Sequence, residues 1–333
     1  MAILQQASDP TITEALRQAM QPATFVFLIA LLILFGEAPR KKIASFFEDV
    51  HWRIWLIPLA IWASYLAIGA LSGALYSPTT PPYEFAKIAA YFAIPTIFVI
   101  LARKFPRFKI YFDGLAVFCL WHPMMVGWIG KEWFGGTQGH YLMMGAGGMY
   151  GLLVFGGIRK FNIQARWELS GQDLKWIFAI FAIISIPVWC VGRYFGFIQP
   201  GLHPFFLHQQ YAILLIALHF LFANGIPEEL LFRGVLQSAI RRRLGPLGGH
   251  RWGSTLTVLA TALLFGSSHL FAVRIITNAS GVITNGFPNL PYALMAFLGG
   301  IAFGTVFELR KSLLAAVILH ALVNTVWVLF FGG

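Results

Sequence analysis

Gly225-Ile226-Pro227-Glu228-Glu229-Leu230-Leu231-Phe232-Arg233-Gly234 sets two carboxylates and a guanidinium inside a run otherwise apolar enough to lie in a bilayer. Ionisable groups at membrane depth are costly, and by default they mark a functional site. Helical spacing sorts the three. Glu229 and Arg233 are four apart, on one face, where an ion pair forms. Glu228 points about 100° away and is not matched to the arginine. One carboxylate is therefore expected to be held, and the other left free for chemistry. The plainer alternative is a cluster of charges snorkelling at a helix end.

Two more stretches weigh against that alternative. Phe265-Gly266-Ser267-Ser268-His269 lies in the apolar run Leu256 to Phe271, and His320-Ala321-Leu322-Val323-Asn324 in the run Leu313 to Phe331. His320 and Asn324 share a helix face. A lone histidine in an apolar helix is ordinarily packed or hydrogen-bonded. Three separate spans with polar groups near their middles are harder to explain by packing. By residue type, Glu228 supplies a base, His269 a second base or orienter, and His320 and Asn324 donors for a developing oxyanion. A hydrolytic site needs that set.

In this order and on successive spans, Glu-Glu-x-x-x-Arg, Phe-x-x-x-His and His-x-x-x-Asn resemble the three motifs of the CPBP (Abi) intramembrane proteases. That family includes the type II CAAX prenyl endopeptidases and bacterial relatives linked to bacteriocin processing and self-immunity. The resemblance covers roughly residues 210 to 330, and the first 200 residues carry no comparable motif. It implies a multi-helix membrane fold and metal-free, glutamate-dependent peptide hydrolysis, with Glu228 as general base and no cofactor. His269 would then share or orient the water, and His320 and Asn324 would donate to the oxyanion. Glu229 and Arg233 would hold the helix and the field around Glu228, and Phe265 would pack one turn from His269.

The composition fits a membrane setting. Of 333 residues, 58% are hydrophobic and only 11% charged, with mean hydropathy +0.72. Soluble domains carry about 25% charged residues. The expected fold class is all-α: a polytopic transmembrane helical bundle of about ten spans. These lie near 22–37, 54–75, 84–102, 112–130, 141–158, 176–198, 210–240, 254–272, 290–308 and 312–331. Residues 1–208 are expected to form an N-terminal extension of about six spans, and 209–333 a catalytic core of about four. Residues 1–22 lack the basic start of a secretory signal peptide, and Ser8-Asp9-Pro10-Thr11 can open a short interfacial helix.

Lys and Arg outnumber Asp and Glu by 24 to 13, a net charge of +11. Their distribution excludes nucleic acid as the reason. Arg40 to Lys42, Arg103 to Lys109, Arg159 to Lys175, Arg241 to Arg251, and Arg310 with Lys311 all follow odd-numbered spans. The connections 76–83, 131–140, 199–209 and 273–289 hold only Lys131 and Arg274. By the positive-inside rule the basic side is cytoplasmic and both termini lie outside. The expected partners are a membrane-anchored peptide or protein substrate and the lipid bilayer. The location is an integral multi-pass membrane protein, in the plasma membrane if the source is bacterial. Cys119 and Cys190 form no CxxC pair and no disulfide framework.

Depth along the helices is consistent with one site. Glu228 stands about 20 Å from the basic end at Arg241, His320 about 15 Å past Arg310, Asn324 about 21 Å, and His269 about 27 Å past Arg251. Pro227 is expected to kink its helix near Ala223. The polar loop Thr277 to Pro291 joins the His269 span to the next and can cover the site from outside. The alternatives are four. A zinc protease would use His269, His320 and Glu228, although no HExxH is present. A serine protease would use Ser267 or Ser268, without a GxSxG. A non-catalytic scaffold or immunity protein would have no use for a free buried carboxylate. A transporter would be expected to show interrupted helices recurring in both halves, and none do. Outside the motif region, His122 in Trp121-His122-Pro123 is the one histidine with a functional alternative.

Overall fold

The computed structural model describes residues 29–30, 32–48, 51–71, 82–126, 137–164, 168–196, 198, 210–244, 249–271, 276–277, 283–284 and 289–330. Its helices are α1 (Glu37–Glu48), α2 (Leu56–Leu71), α3 (Pro82–Lys104), α4 (Lys109–Met125) and α5 (Thr137–Gly151). They continue as α6 (Gly171–Tyr194), α7 (210–244), α8 (Gly249–Ser268), α9 (Leu290–Arg310) and α10 (Leu313–Phe330). A two-residue antiparallel pair, Ile276–Thr277 with Ile283–Thr284, lies between α8 and α9. The fold class is all-α, as expected.

Five described helices are long and apolar enough to cross a membrane: Ala86–Lys104, Gly171–Tyr194, Ile213–Leu244, Leu290–Arg310 and Leu313–Phe330. Helices α2 and α4 run 16 and 17 residues, short of the ~20 that a span requires. The apolar helix Met143–Ile158 also falls short of that length. Half of the expected first span, the Ser8–Thr11 segment, most of the connections that hold Lys131 and Arg274, and most of the polar loop after Thr277 lie outside the described residues. So does the expected domain boundary at 208/209.

Ile183, Ile186, Leu214 and Leu263 are all more than 60% exposed. Such a shell suits lipid and not water. Inside it, one contiguous apolar cluster runs from Leu34 on the first described turns to Leu319 on α10. Buried charges tie helix ends across this core. Arg159 grips Asp113 of α4 with two bonds, 3.1 and 2.9 Å long. Ser170 and Asp173 close a capping box at the start of α6, and Arg310 at the end of α9 donates to Asp173 at 2.7 Å. Helices α8 and α9 cross through glycines. A Cβ on Gly266 would stand 2.7 Å from Phe297 Cβ, and one on Gly300 3.0 Å from Ala262 Cα. Small residues at such crossings let membrane helices approach closely.

Helix α7 is where the structure departs most from a regular helix. Pro227 has no amide to donate, and its ring collides with the carbonyl four residues back, that of Ala223. The chain answers by widening instead of by a simple kink. Phe220–Gly225 is π-helical, and the Ile226 amide donates to Leu221 O, five residues back. A single α turn, Ile226–Glu229, follows. A second π segment, Leu230–Gln237, succeeds it. Both carboxylates thus sit on one short turn between two wide ones.

Candidate active site

The α turn Ile226–Glu229 faces α10, and Gly225 makes the approach close. A Cβ there would meet the Val317 carbonyl at 3.2 Å. Glu228 is 4% exposed, while Glu229 and Arg233 are fully buried. Arg233 Nη1 donates to Glu229 Oε1 at 3.1 Å, and Nε stands 3.1 Å from Oε2 as an ion contact outside hydrogen-bond geometry. Its Nη2 donates to the Gly300 carbonyl of α9 at 3.2 Å. The guanidinium carbon lies 4.5 Å from the Phe265 ring centre and 5.3 Å from that of Phe303. Two aromatic faces and a carboxylate therefore surround a cation shut off from water, as such a charge requires.

Helix α10 brings His320 to the same carboxylate. His320 Nδ1 lies 2.7 Å from Glu229 Oε1. The ring is stacked on Phe303, centroids 4.5 Å apart and planes 12° apart. A carboxylate can only accept, so Nδ1 carries the proton and Nε2 is turned the other way. There it stands 3.9 Å from Glu228 Oε2. Asn224, one turn before Glu228, donates to its Oε1 at 3.4 Å. Glu228 makes no further hydrogen bond among the described residues.

His269 follows directly on the last residue of α8. Its Nδ1 is 2.7 Å from the Phe265 carbonyl. That oxygen only accepts, so here too Nδ1 holds the proton and Nε2 presents a lone pair. Ser268 Oγ donates to the same carbonyl at 2.7 Å and accepts from Trp121 Nε1 at 3.0 Å. The Trp121 indole of α4 also packs edge-on to Phe232, with centroids 5.6 Å apart, and 5.9 Å from the His269 ring. Tyr292 at the start of α9 stands edge-on to His269 at 5.1 Å.

The structure therefore brings together Glu228, Glu229, Arg233, Phe265, His269 and His320. Asn324 lies one turn beyond His320, half-buried, and makes no hydrogen bond to a described residue. Ser267 bonds to its own helix, at Leu263 O and Leu264 O. His122 stacks on Phe118 away from the cluster, at 4.6 Å. Four neighbours escaped the sequence reading. Asn224 carried a signal, since Asn224 and Glu228 stand at the same four-residue spacing as Glu229 and Arg233. Trp121, Phe303 and Tyr292 carried none.

What the arrangement offers chemically is asymmetric. Glu229 takes hydrogen bonds from a guanidinium and an imidazole on Oε1, and Oε2 meets Arg233 as an ion contact alone. Glu228, its sequence neighbour, has one long bond and an imidazole nitrogen just out of reach. Two imidazoles turn their Nε2 atoms away from fixed acceptors. Among the described residues, no three His, Cys, Asp or Glu side chains converge as a metal-binding set.

These features define an integral membrane protein with a buried acid–imidazole cluster. The model of the family described as type II CAAX prenyl endopeptidase Rce1-like matches residues 208–326, so this segment carries an Rce1-like domain. Every cluster residue except Trp121 falls within it. No curated protein and no solved structure matches the chain.

Proposed function

We propose that this protein is an intramembrane endopeptidase that cleaves a membrane-anchored substrate with a water activated by Glu228. The observation that carries the reading is the division of labour between adjacent carboxylates. Glu229 is committed to Arg233 and His320, while Glu228 is buried and, among the described residues, bonded only to Asn224. Glu228 takes the proton of the attacking water and later passes it to the leaving amine. His269, with Nδ1 committed to the Phe265 carbonyl, offers Nε2 as a second acceptor that orients the water. His320, held through Nδ1 by Glu229, is assigned to donate to the tetrahedral oxyanion. Asn324 is a further donor toward substrate once the site is filled. Arg233 and Phe265 hold the field and packing around the pair.

The domain division belongs to the same proposal. Residues 209–333 form the catalytic core, and the preceding spans are an extension that supports it through Trp121. The zinc alternative draws no support from the donor geometry, because among the described residues no three His, Cys, Asp or Glu side chains converge as a metal-binding set. The Rce1-like match supports a substrate with a lipid-modified C-terminal tail.

The test is cleavage of peptides anchored by a prenyl group, an acyl chain or an apolar helix. Purified wild type and Glu228→Gln are each assayed with and without a metal chelator. The expected result is wild-type cleavage that survives chelator and vanishes in the variant. Cleavage by the variant at the wild-type rate would remove Glu228 as base. Chelator-sensitive wild-type cleavage would replace the mechanism with a metal-dependent one.

A further inference from the structure

On the basic side of the molecule, away from the acid–imidazole cluster, α1 and the chain leaving α5 enclose a cavity of about 630 Å³. Its lining is cationic. Arg40, Lys41 and Lys160 face it together with the amides of Asn162 and Gln164, and Glu37 is the only acid among its lining residues. Glu37 is already engaged by Lys41, at 2.5 Å.

Arg40 is the unusual member. It is 5% exposed, yet it makes no ion pair among the described residues. Nη1 donates to the Leu34 and Phe35 carbonyls at 3.1 and 2.9 Å. Nε is buried and has no partner. It lies over Gly156, where a Cβ would stand 3.2 Å from it. A buried guanidinium without an anion is costly. Two lining residues, Lys160 and Gln164, hold left-handed backbone, at φ 50° and 52°. L side chains pay for that conformation in strain, and such strain persists where a site is being shaped.

We propose that this cavity binds the phosphate of an anionic phospholipid headgroup. A phosphate takes the fork of a guanidinium and the point charges of lysines. The bilayer is the source indicated by the surroundings. Helix α1 exposes Ile43 and Phe46, and Trp52 and Trp55 follow, also exposed. Tryptophans of this kind sit at headgroup level. Arg242 of α7 lies 4.5 Å over the ring of Phe161, another lining residue. By the positive-inside rule this face meets the leaflet that carries anionic lipid, where each basic residue adds about 1 kcal/mol of attraction.

The experiment uses the full chain, stripped of lipid in detergent and offered equimolar phosphatidylglycerol and phosphatidylcholine, with bound lipid read by native mass spectrometry. Thermal shifts with inorganic phosphate alone form the second arm. Wild type should retain phosphatidylglycerol over phosphatidylcholine by roughly five-fold or more. The double variant Lys41→Gln/Lys160→Gln should fall to parity with its lipid-free Tm unchanged, while Lys42→Gln, outside the lining, should behave as wild type. Parity in the wild type, or full selectivity in the double variant, would overturn the site. A lysine-dependent shift with inorganic phosphate but no lipid selectivity would overturn the lipid source and leave a free-anion site.

Discussion

His320 Nδ1 lies 2.7 Å from Glu229 Oε1, although 91 residues separate the two in sequence. This contact, with Arg233 on the same oxygen, makes Glu229 the structural carboxylate of the pair and leaves Glu228 facing the His320 Nε2 side. Two neighbouring residues of one type are given opposite duties by what reaches them from other helices.

Exchange of each glutamate for its amide should separate these duties. Glu229→Gln strands a fully buried guanidinium, and breaking such a pair costs about 3–5 kcal/mol. Thermal unfolding in detergent should show a large fall in Tm. Glu228→Gln alters a side chain held among the described residues by one long bond from Asn224, with His320 Nε2 3.9 Å away, so its Tm should match or exceed that of wild type while cleavage is lost. Equal destabilisation by both substitutions would contradict the assignment.

Arg233→Lys should not be a conservative change. The ammonium cannot bond Glu229 and the Gly300 carbonyl in one plane or lie flat between Phe265 and Phe303. We expect a Tm several degrees below wild type and at least a ten-fold loss of cleavage, a factor equivalent to about 1.4 kcal/mol. A lysine variant with wild-type stability would show that the guanidinium geometry is dispensable.

Trp121→Phe keeps an aromatic ring but deletes the donor to Ser268 Oγ. One such bond is worth about 1 kcal/mol, or roughly five-fold in rate if it is expressed in the transition state. The loss should appear in kcat with KM within about two-fold. Ser268→Ala should cost a similar factor, and the double variant less than the product of the two, because they share one network. Independent effects would place Trp121 outside the positioning of His269.

Gly266→Ala drives a methyl toward Phe297 Cβ at 2.7 Å and the Ala293 carbonyl at 2.8 Å. Backbone atoms give way poorly, so overpacking should cost about 1–3 kcal/mol. Tm should fall by several degrees. At Gly114, where a Cβ meets nothing within 4 Å, the same substitution should leave Tm within about a degree.

What could be read in the sequence follows the range of each physical rule. The Glu229–Arg233 pair was legible because a helix fixes neighbours four apart. The all-α membrane class followed from composition and run length. His320 was found as a residue, but its partner was not, since periodicity says nothing about which helices adjoin. Helical spacing joins His320 to Asn324 on its own helix, and the structure joins it to Glu229 on another. Asn224 was within reach of the four-residue rule and was passed over beside Gly225 and Pro227, which read as a break. Trp121 was beyond reach, since it belongs to a region without motifs. Its neighbour His122, chosen as the candidate there, points to Phe118. The wide turns of α7 were also hidden. A proline forecasts trouble for the amide ladder but not whether the chain will bend or widen.

Those wide turns have a consequence for insertions and deletions. Each π bulge amounts to one residue added to an α-helix, a lag of about 100° in phase. With Phe220–Gly225 before it and Leu230–Gln237 after it, the turn Ile226–Glu229 has an angular setting independent of both ends of its helix. Loss of a single residue from the first bulge would keep the segment long and apolar enough to span, while Pro227 would still deny it a regular ladder. It would also swing Glu228 and Glu229 about 100° relative to the preceding part of the helix, taking one or both off His320. In this helix the frame of the chain, as much as the identity of its side chains, is part of the site.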